Sequence, residues 1–379
     1  MTTVFVGMSG GVDSSLSAAL LKEQGYEVVG VYMKNWTEDL PGMRCPWADD
    51  LADAKRVAVQ LGIDFRVFDF EKEYKHKVVD YMIEEYKRGR TPNPDIMCNQ
   101  EVKFKLFLET ALEQGAEGIA TGHYARVSNR FSLSSSSETA SLRDPSLVAP
   151  PPDESLAADV SLDATANARL LRAKDDNKDQ TYFLYRITEE ALSKTLFPLG
   201  EYTKDEVREM AKERGLFTAS KKESMGICFV GQVGIRDFLS QYVETRPGNI
   251  IEKTTGKILG RHDGAIFYTI GQRHGLEVGG GLPYYVTSKD MTKNTVYVST
   301  NLNDETMWRS EISLSEPHWI NGTPENGVYL VRIRHRAPLV ECELKDNTLV
   351  LSESQRAITP GQSAVLYDGD ICLGGGIVL

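Results

Sequence analysis

The sequence predicts an α/β protein: a doubly wound parallel sheet first, then a mixed central segment, and a small β-barrel at the end. Three observations carry this. From Val4 to Tyr86, apolar stretches of strand length alternate with amphipathic stretches of helical period, the pattern of parallel strands joined by crossover helices. The first strand runs into a turn rich in glycine and serine, Gly7-Met8-Ser9-Gly10-Gly11-Val12-Asp13-Ser14. From about Thr306 to Leu379, short alternating strands are separated by Asn321-Gly322, Asn326-Gly327 and Asp368-Gly369, dipeptides that suit tight hairpin turns.

Val4-Phe5-Val6 forms the first strand, and Leu16, Ala19 and Leu20 share one face of the helix that follows. The glycines between them turn the backbone sharply and point successive N–H groups into one concavity. The helix N-terminus makes that concavity electropositive, so the turn reads as a phosphate cradle. A P-loop would end in Gly-Lys-Ser/Thr, yet no lysine precedes Lys22; a dinucleotide fingerprint would space its glycines G-x-G-x-x-G, yet they stand at Gly7, Gly10 and Gly11. Glu27 to Tyr32 is the second strand, ending at Met33. Ligands of open α/β sheets lie beyond the carboxyl ends of the strands, which places Met33 to meet an adenine. A helix over Trp47–Leu61, a strand over Asp64–Phe70 and a helix over Tyr74–Tyr86 follow.

Next comes Thr91-Pro92-Asn93-Pro94-Asp95-Ile96-Met97-Cys98-Asn99. Two prolines stiffen the loop, and a helix continues through Phe104, Leu108 and Leu112. Asp95 reads as the N-cap, either a cap only or a catalytic residue as well, and Cys98 then falls in the first turn, where the helix dipole lowers a thiol's pKa. Ile119–Val127 reads as a strand interrupted by Thr121-Gly122-His123-Tyr124, where Gly122 permits close approach to a ligand and His123 suits a structural role as well as a reactive one. Residues 128–168, with Ser134–Ser137 and Pro150–Pro152, lack the composition to bury a core and read as a surface loop. Arg169–Ala173 is a short strand, Asp175–Gln180 a polar turn, and Thr203-Lys204-Asp205-Glu206 a capping box opening a helix through Met210. Around Cys228 the segment Thr218–Val230 lacks periodicity, and a helix over Ile235–Val243 precedes β-rich sequence from Gly248. In the barrel, Arg332, Arg334 and Arg336 alternate, so a strand would place all three on one face, either solvated or touching phosphates. The expected domains are 1–199, 200–303 and 304–379.

Composition bounds the function. With 379 residues, 41% hydrophobic and 26% charged, the chain has room for two or three globular domains. No apolar run reaches the length of a membrane span. The N-terminus runs straight into the first strand, and five cysteines (Cys45, Cys98, Cys228, Cys342, Cys372) lie far apart; together these favour reduced thiols in a cytoplasm. The net charge of −11 counts mildly against nucleic acid, although a local basic patch suffices for one.

The motif SGGVDS resembles the SGGxDS signature of the PP-loop ATP pyrophosphatases, enzymes with an adenine nucleotide α-hydrolase-like sheet that split ATP into AMP and pyrophosphate. Within that superfamily the blocks NPDIMCN, TGHYARV, AKDDNKDQTYFL, GICFVG and YTIGQRHG are similar to those of the tRNA-specific 2-thiouridylases, which place sulfur on the wobble uridine of tRNA. They span nearly everything except residues 128–168, a stretch that departs from the family's short hairpin. The resemblance implies ATP with Mg²⁺ as cofactors, bound by Gly7, Met8, Ser9, Gly10, Gly11, Val12, Asp13, Ser14, Met33 and Gly122. It implies that Asn93, Pro94 and Asp95 face the target base, with Asp95 assisting proton transfer. Cys98 is implied as the nucleophile and Cys228 as the persulfide carrier. His123, Lys178, Asp179, Gln180, His335, Arg336 and Gln362 match positions that touch tRNA. The sulfur would come from a cysteine desulfurase or a relay protein.

The chemistry agrees with these residue types. A uridine carbonyl oxygen is a poor leaving group until adenylated, and sulfur delivered as a persulfide needs one thiol to carry it and another to release it. A PP-loop ligase delivering ammonia would not need paired cysteines, and a nucleotide-sensing module would leave the barrel and SGGVDS without purpose. An iron–sulfur variant would lack a C-x-x-C pair.

Overall fold

The computed structural model describes residues 1–39, 45–128, 167–222, 234–279 and 281–379. Cys228 and nearly all of the 128–168 stretch fall outside them. The first seven strands are β1 (Thr3–Gly7), β2 (Glu27–Lys34), β3 (Asp64–Asp69), β4 (Gly118–Ala120), β5 (Arg126–Ser128), β6 (Arg169–Leu171) and β7 (Thr195–Leu196). Five pair in parallel in the order β3-β2-β1-β4-β7. Along β1 the side chains alternate between two covered faces. Val4 and Val6 pack with Ala18 and Leu21 of helix α1 (Val12–Glu23) and with Ala54 and Val57 of α2 (Trp47–Leu61), whereas Phe5 joins Phe68, Phe107 and Ile119 opposite. The sheet is therefore wound on both sides, as expected. Chain order reverses at β1, which has β2 on one flank and β4 on the other, so the crevice past its carboxyl end is the place where such sheets bind ligands.

A second sheet holds β8 (Gly248–Glu252), β9 (Ile258–His262), β10 (Tyr285–Asp290) and β11 (Thr295–Ser299) in the order β10-β11-β8-β9. The remaining strands are β12 (Trp308–Trp319), β13 (Gly327–Arg332), β14 (Val340–Lys345), β15 (Thr348–Arg356), β16 (Ser363–Asp368) and β17 (Ile371–Val378). They run β12-β15-β14-β13-β16-β17, and pairing of β12 with β17 closes the six into a barrel, removing exposed edges.

Three expectations need correction. The strand foreseen over Ile119–Val127 is two strands in different sheets. β4 stops at Ala120, whereas β5 pairs with β6, and β6 pairs with β17, Leu171 facing Ile371. The break comes at Gly122, which turns against the backbone of Asp13 instead of continuing the sheet. The boundary placed at 199/200 cuts a packing unit, because Val207 and Ala211 of helix Lys204–Glu213 pack on Leu16, Ala19 and Leu20 of α1. The arginine stripe is not a strand face: β13 ends at Arg332, Arg332 is 5% exposed, and Arg336 sits in a turn at φ 63°. Arg332, the last residue of β13, pairs with Asp179, its Nη1 2.7 Å from Oδ2. That pair bolts the barrel to the polar turn Asp175–Gln180.

Candidate functional site

The crevice beyond β1 holds a cavity of about 480 Å³. Its floor is the Gly7–Ser14 turn. Gly11 caps α1 without a side-chain hydrogen bond, so the first helical N–H groups are not satisfied by a capping side chain, and the dipole favours an anion there. Gly10 has φ +73°, and a Cβ on it would lie 2.5 Å from the Asp50 carbonyl oxygen, so only glycine fits. Ser14 Oγ accepts from the Ser9 N–H at 3.1 Å, bracing the turn. Across the crevice a Cβ on Gly122 would stand 2.9 Å from the backbone of Asp13 and Ser14. Gly122 is thus needed for β4 to approach the phosphate turn. Met33 lines the same cavity, consistent with a base-facing position at the end of β2.

Among the described residues, five cations, Lys103, Lys178, Lys221, Lys222 and Arg336, line this cavity against two carboxylates, Asp13 and Asp50. A protein of net charge −11 has concentrated positive charge where phosphates would enter. Both carboxylates are engaged. Asp13 takes Lys204 Nζ at 2.7 and 2.8 Å and the Tyr124 hydroxyl at 2.9 Å. Lys221 Nζ reaches Asp50 at 3.0 Å, Asp53 at 2.7 Å and the Gly10 carbonyl at 3.1 Å, tying the turn to α2. Sequence reading missed Lys204 and Lys221. A signal existed for Lys204: it is the first residue of a helix, where the dipole disfavours a cation, so a specific carboxylate partner could have been sought.

Of the residues implied to touch tRNA, His123, Lys178, Gln180, His335 and Arg336 share this cavity with the phosphate turn. Burial drives the His123 imidazole well below its usual pKa, and its Nδ1 lies 2.8 Å from Thr121 Oγ1. His335 is lowered to about 4 by burial and by Arg336 and Arg332, so both imidazoles are neutral at pH 7. Gln180 accepts from the Tyr124 N–H at 2.9 Å. Arg336 Nε donates to the Asn177 carbonyl at 3.1 Å, which brings the barrel's turn to the cavity rim.

Asp179 does not reach this space. It is 1% exposed, accepts from Ala173 N–H and Thr181 Oγ1, and pairs with Arg332. Desolvation made it a partner for a buried guanidinium instead of a surface contact. Gln362 also acts at a distance from the cavity, its Nε2 donating to the Thr91 carbonyl at 2.7 Å, while Thr91 N–H donates to Pro360 at 2.9 Å. The barrel thereby anchors the loop that carries Asn93, Pro94 and Asp95.

That loop differs from expectation in its cap. Asn93, not Asp95, caps helix Pro94–Cys98, its side chain accepting from the Asp95 N–H at 3.1 Å with Pro94 at the first helical position. Proline's fixed φ starts the helix two residues sooner than foreseen. Cys98 is consequently the fifth helical residue, past the first turn where the dipole acts, and is 1% exposed. A π-helical stretch, Asn99–Leu106, begins directly after it. Asp95 is half-buried, and burial raises its carboxyl above the usual range, with Lys103 opposing. Neither Asp95 nor Cys98 lines the cavity as it stands. Cys45, Cys98, Cys342 and Cys372 are all buried, and Cys228 lies outside the described residues. No helix among the described residues is long and apolar enough to cross a membrane.

Three family models match the chain: the tRNA methyl transferase HUP domain over residues 2–232, the tRNA methyl transferase PRC-barrel domain over 236–300, and the aminomethyltransferase β-barrel domain over 309–378. The tRNA-specific 2-thiouridylase MnmA of Bacillus cytotoxicus is 43% identical, covering 100% of this chain and 94% of that protein. Its counterpart in Bacillus subtilis is 42% identical with 100% and 95% covered. Among solved structures, a 4-thiouridine synthetase–RNA complex with bound ATP aligns at 15% identity and a TM-score of 0.36 over 63% of this chain and 50% of that one, a likeness too loose to bear weight.

Proposed function

The chain belongs to the tRNA-specific 2-thiouridylase family, and on that premise we propose that it converts the wobble uridine of tRNA to 2-thiouridine at the expense of ATP. The observation that carries this reading is the convergence of an uncapped glycine-rich helix N-terminus with an excess of cations in one cavity, a site for a triphosphate and an RNA backbone together. ATP would lie with its phosphates on Gly7–Ser14 and its adenine toward Met33, with Gly122 admitting it. Mg²⁺ would neutralise charge on those phosphates. Such an ion takes one or two carboxylates plus substrate phosphates. Asp13 is the carboxylate at hand.

The uridine is presented by Asn93, Pro94 and Asp95. Its O2 attacks the α-phosphorus of ATP, pyrophosphate departs, and Asp95 takes the N3 proton, a task helped by a carboxylate more basic than usual. The activated C2 then accepts sulfur. A persulfide on Cys228, loaded by a cysteine desulfurase or a relay protein, meets the Cys98 thiolate at its inner sulfur. Hydrosulfide leaves, a Cys98–Cys228 disulfide forms, hydrosulfide displaces AMP from C2, and an external dithiol reduces the disulfide. The neutral His123 and His335, with Lys178, Gln180 and Arg336, line the space where RNA would enter. Such an enzyme works in the cytoplasm, where thiols stay reduced.

The test is direct. The purified chain, given unmodified tRNA, ATP and a persulfide donor, should yield 2-thiouridine by nucleoside mass spectrometry, with one pyrophosphate per thiolated base. Unmodified uridine with the donor demonstrably active would overturn the reading.

A further inference from the structure

A second cavity, about 250 Å³, opens where three chain regions meet: residues 88–91 before the Asn93–Asp95 loop, Ile270 with Ser288 and Lys289 of the central sheet, and Thr359-Pro360 of the barrel. Three cations line it, Arg88, Arg90 and Lys289, together with the hydroxyl residues Thr91, Ser288 and Thr359. The only carboxylate paired with any of them among the described residues is that of Glu85, 3% exposed, which Arg88 and Arg90 share. Lys289 has none. Its single partner among the described residues is the Tyr268 carbonyl, 2.8 Å from Nζ. Taking an ammonium out of water without a counter-charge is costly, and a charge left in that condition beside a cavity wants an anion.

The position of the cavity says which anion. Thr91, in its wall, is held on one side by Pro360 and Gln362 of the barrel and lies 3.3 Å (Oγ1 to Oγ1) from Thr269 of the central segment. Two residues later comes Asn93, which caps the helix bearing Asp95 and Cys98. We propose that this junction cavity is a phosphate-binding site, filled in the working complex by a backbone phosphate of the tRNA near the target uridine. The identity of the donor molecule rests on the tRNA reading above; the site itself rests on the cation excess. Burial lowers the Lys289 pKa to about 8, and a bound phosphate would raise it again. Because the three walls come from three regions of the chain, an RNA phosphate seated here would also hold those regions in register around the target base.

The experiment uses the full chain. Lys289→Gln removes the unpaired cation and strands no carboxylate, so the fold should survive, with thermal melting as the control; Arg90→Gln would take one of the two guanidiniums from buried Glu85 and is avoided. Binding of an anticodon stem-loop RNA is followed by fluorescence anisotropy across a salt series. Lys289→Gln should weaken binding several-fold at low salt and lower the slope of log K against log salt by about 0.7–0.9, the value of one phosphate contact. Lys289→Arg should restore both. In a parallel arm, inorganic phosphate is titrated against wild type and Lys289→Gln by thermal shift. A phosphate-dependent rise in wild type alone, with RNA slopes unchanged, would keep the anion site and overturn its assignment to tRNA. Equal slopes and no phosphate effect would overturn the proposal entirely. If wild type itself fails to bind the stem-loop, the tRNA reading fails instead, a result distinct from either.

Discussion

Asp179 separates a structural from an RNA-contacting role most sharply. Its motif matches a tRNA-touching position, yet its side chain is 0% exposed and that of Arg332 is 6% exposed, with 2.7 Å between Oδ2 and Nη1. Asp179 also accepts from Ala173 N–H at 3.1 Å and from Thr181 Oγ1 at 2.8 Å. Asp179→Asn keeps an acceptor for those donors but removes the only carboxylate paired with Arg332 among the described residues. Breaking a buried pair by neutralising one partner costs about 3–5 kcal/mol, because the remaining charge stays desolvated. Replacing both, as in Asp179→Leu with Arg332→Met, should recover most of the loss, so the double-mutant coupling energy should exceed about 2 kcal/mol. Urea denaturation followed by tryptophan fluorescence reads the loss as a lower midpoint. A loss below about 1 kcal/mol accompanied by weaker tRNA binding would refute the bolt and return Asp179 to the RNA surface.

Other expectations follow from the same geometry. Ser128 and Arg169 face each other across β5 and β6, so replacing residues 129–166 with a short Gly/Ser turn should rejoin the hairpin. The melting temperature should change by less than about 2 °C, and a larger drop would show that the segment packs. If Asp95 is the base, tRNA-dependent pyrophosphate release should fall as pH drops through a carboxyl pKa raised above the ordinary range, since protonation removes the base; Asp95→Asn should abolish that limb, and an unchanged profile would exclude the role. Cys98, 1% exposed, should react slowly with a maleimide in the free protein and faster once ATP and tRNA are bound, since its thiolate must reach the Cys228 persulfide; equal rates would contradict that role.

What the sequence showed and what it hid have physical causes. The Gly7–Ser14 turn was legible because its glycines are local requirements of backbone geometry, and the barrel because Asn-Gly and Asp-Gly dictate hairpins within a few residues. Partners far apart in the chain were not legible. Lys204 with Asp13 and Arg332 with Asp179 lie 191 and 153 residues apart, and nothing periodic in either segment records the pairing. The alternation of Arg332, Arg334 and Arg336 misled because period two holds only while a strand lasts, and β13 ends at Arg332. Asp95 looked like a cap until Pro94 began the helix. The transfer of β5 from the first sheet to the barrel depends on pairing with β6 and, through it, β17, a contact that only the assembled fold supplies.

The central claim is that the cavity beyond β1 activates the uridine before sulfur arrives. The measurement that meets it most directly is tRNA-dependent pyrophosphate release with no sulfur donor present. Cys98→Ser and Cys228→Ser should each release pyrophosphate at close to the wild-type rate while forming no 2-thiouridine. Asp13→Ala, which removes the carboxylate held by Lys204 and Tyr124, should release none while melting as a folded protein. Release by Asp13→Ala, or release from any variant without tRNA, would contradict the account.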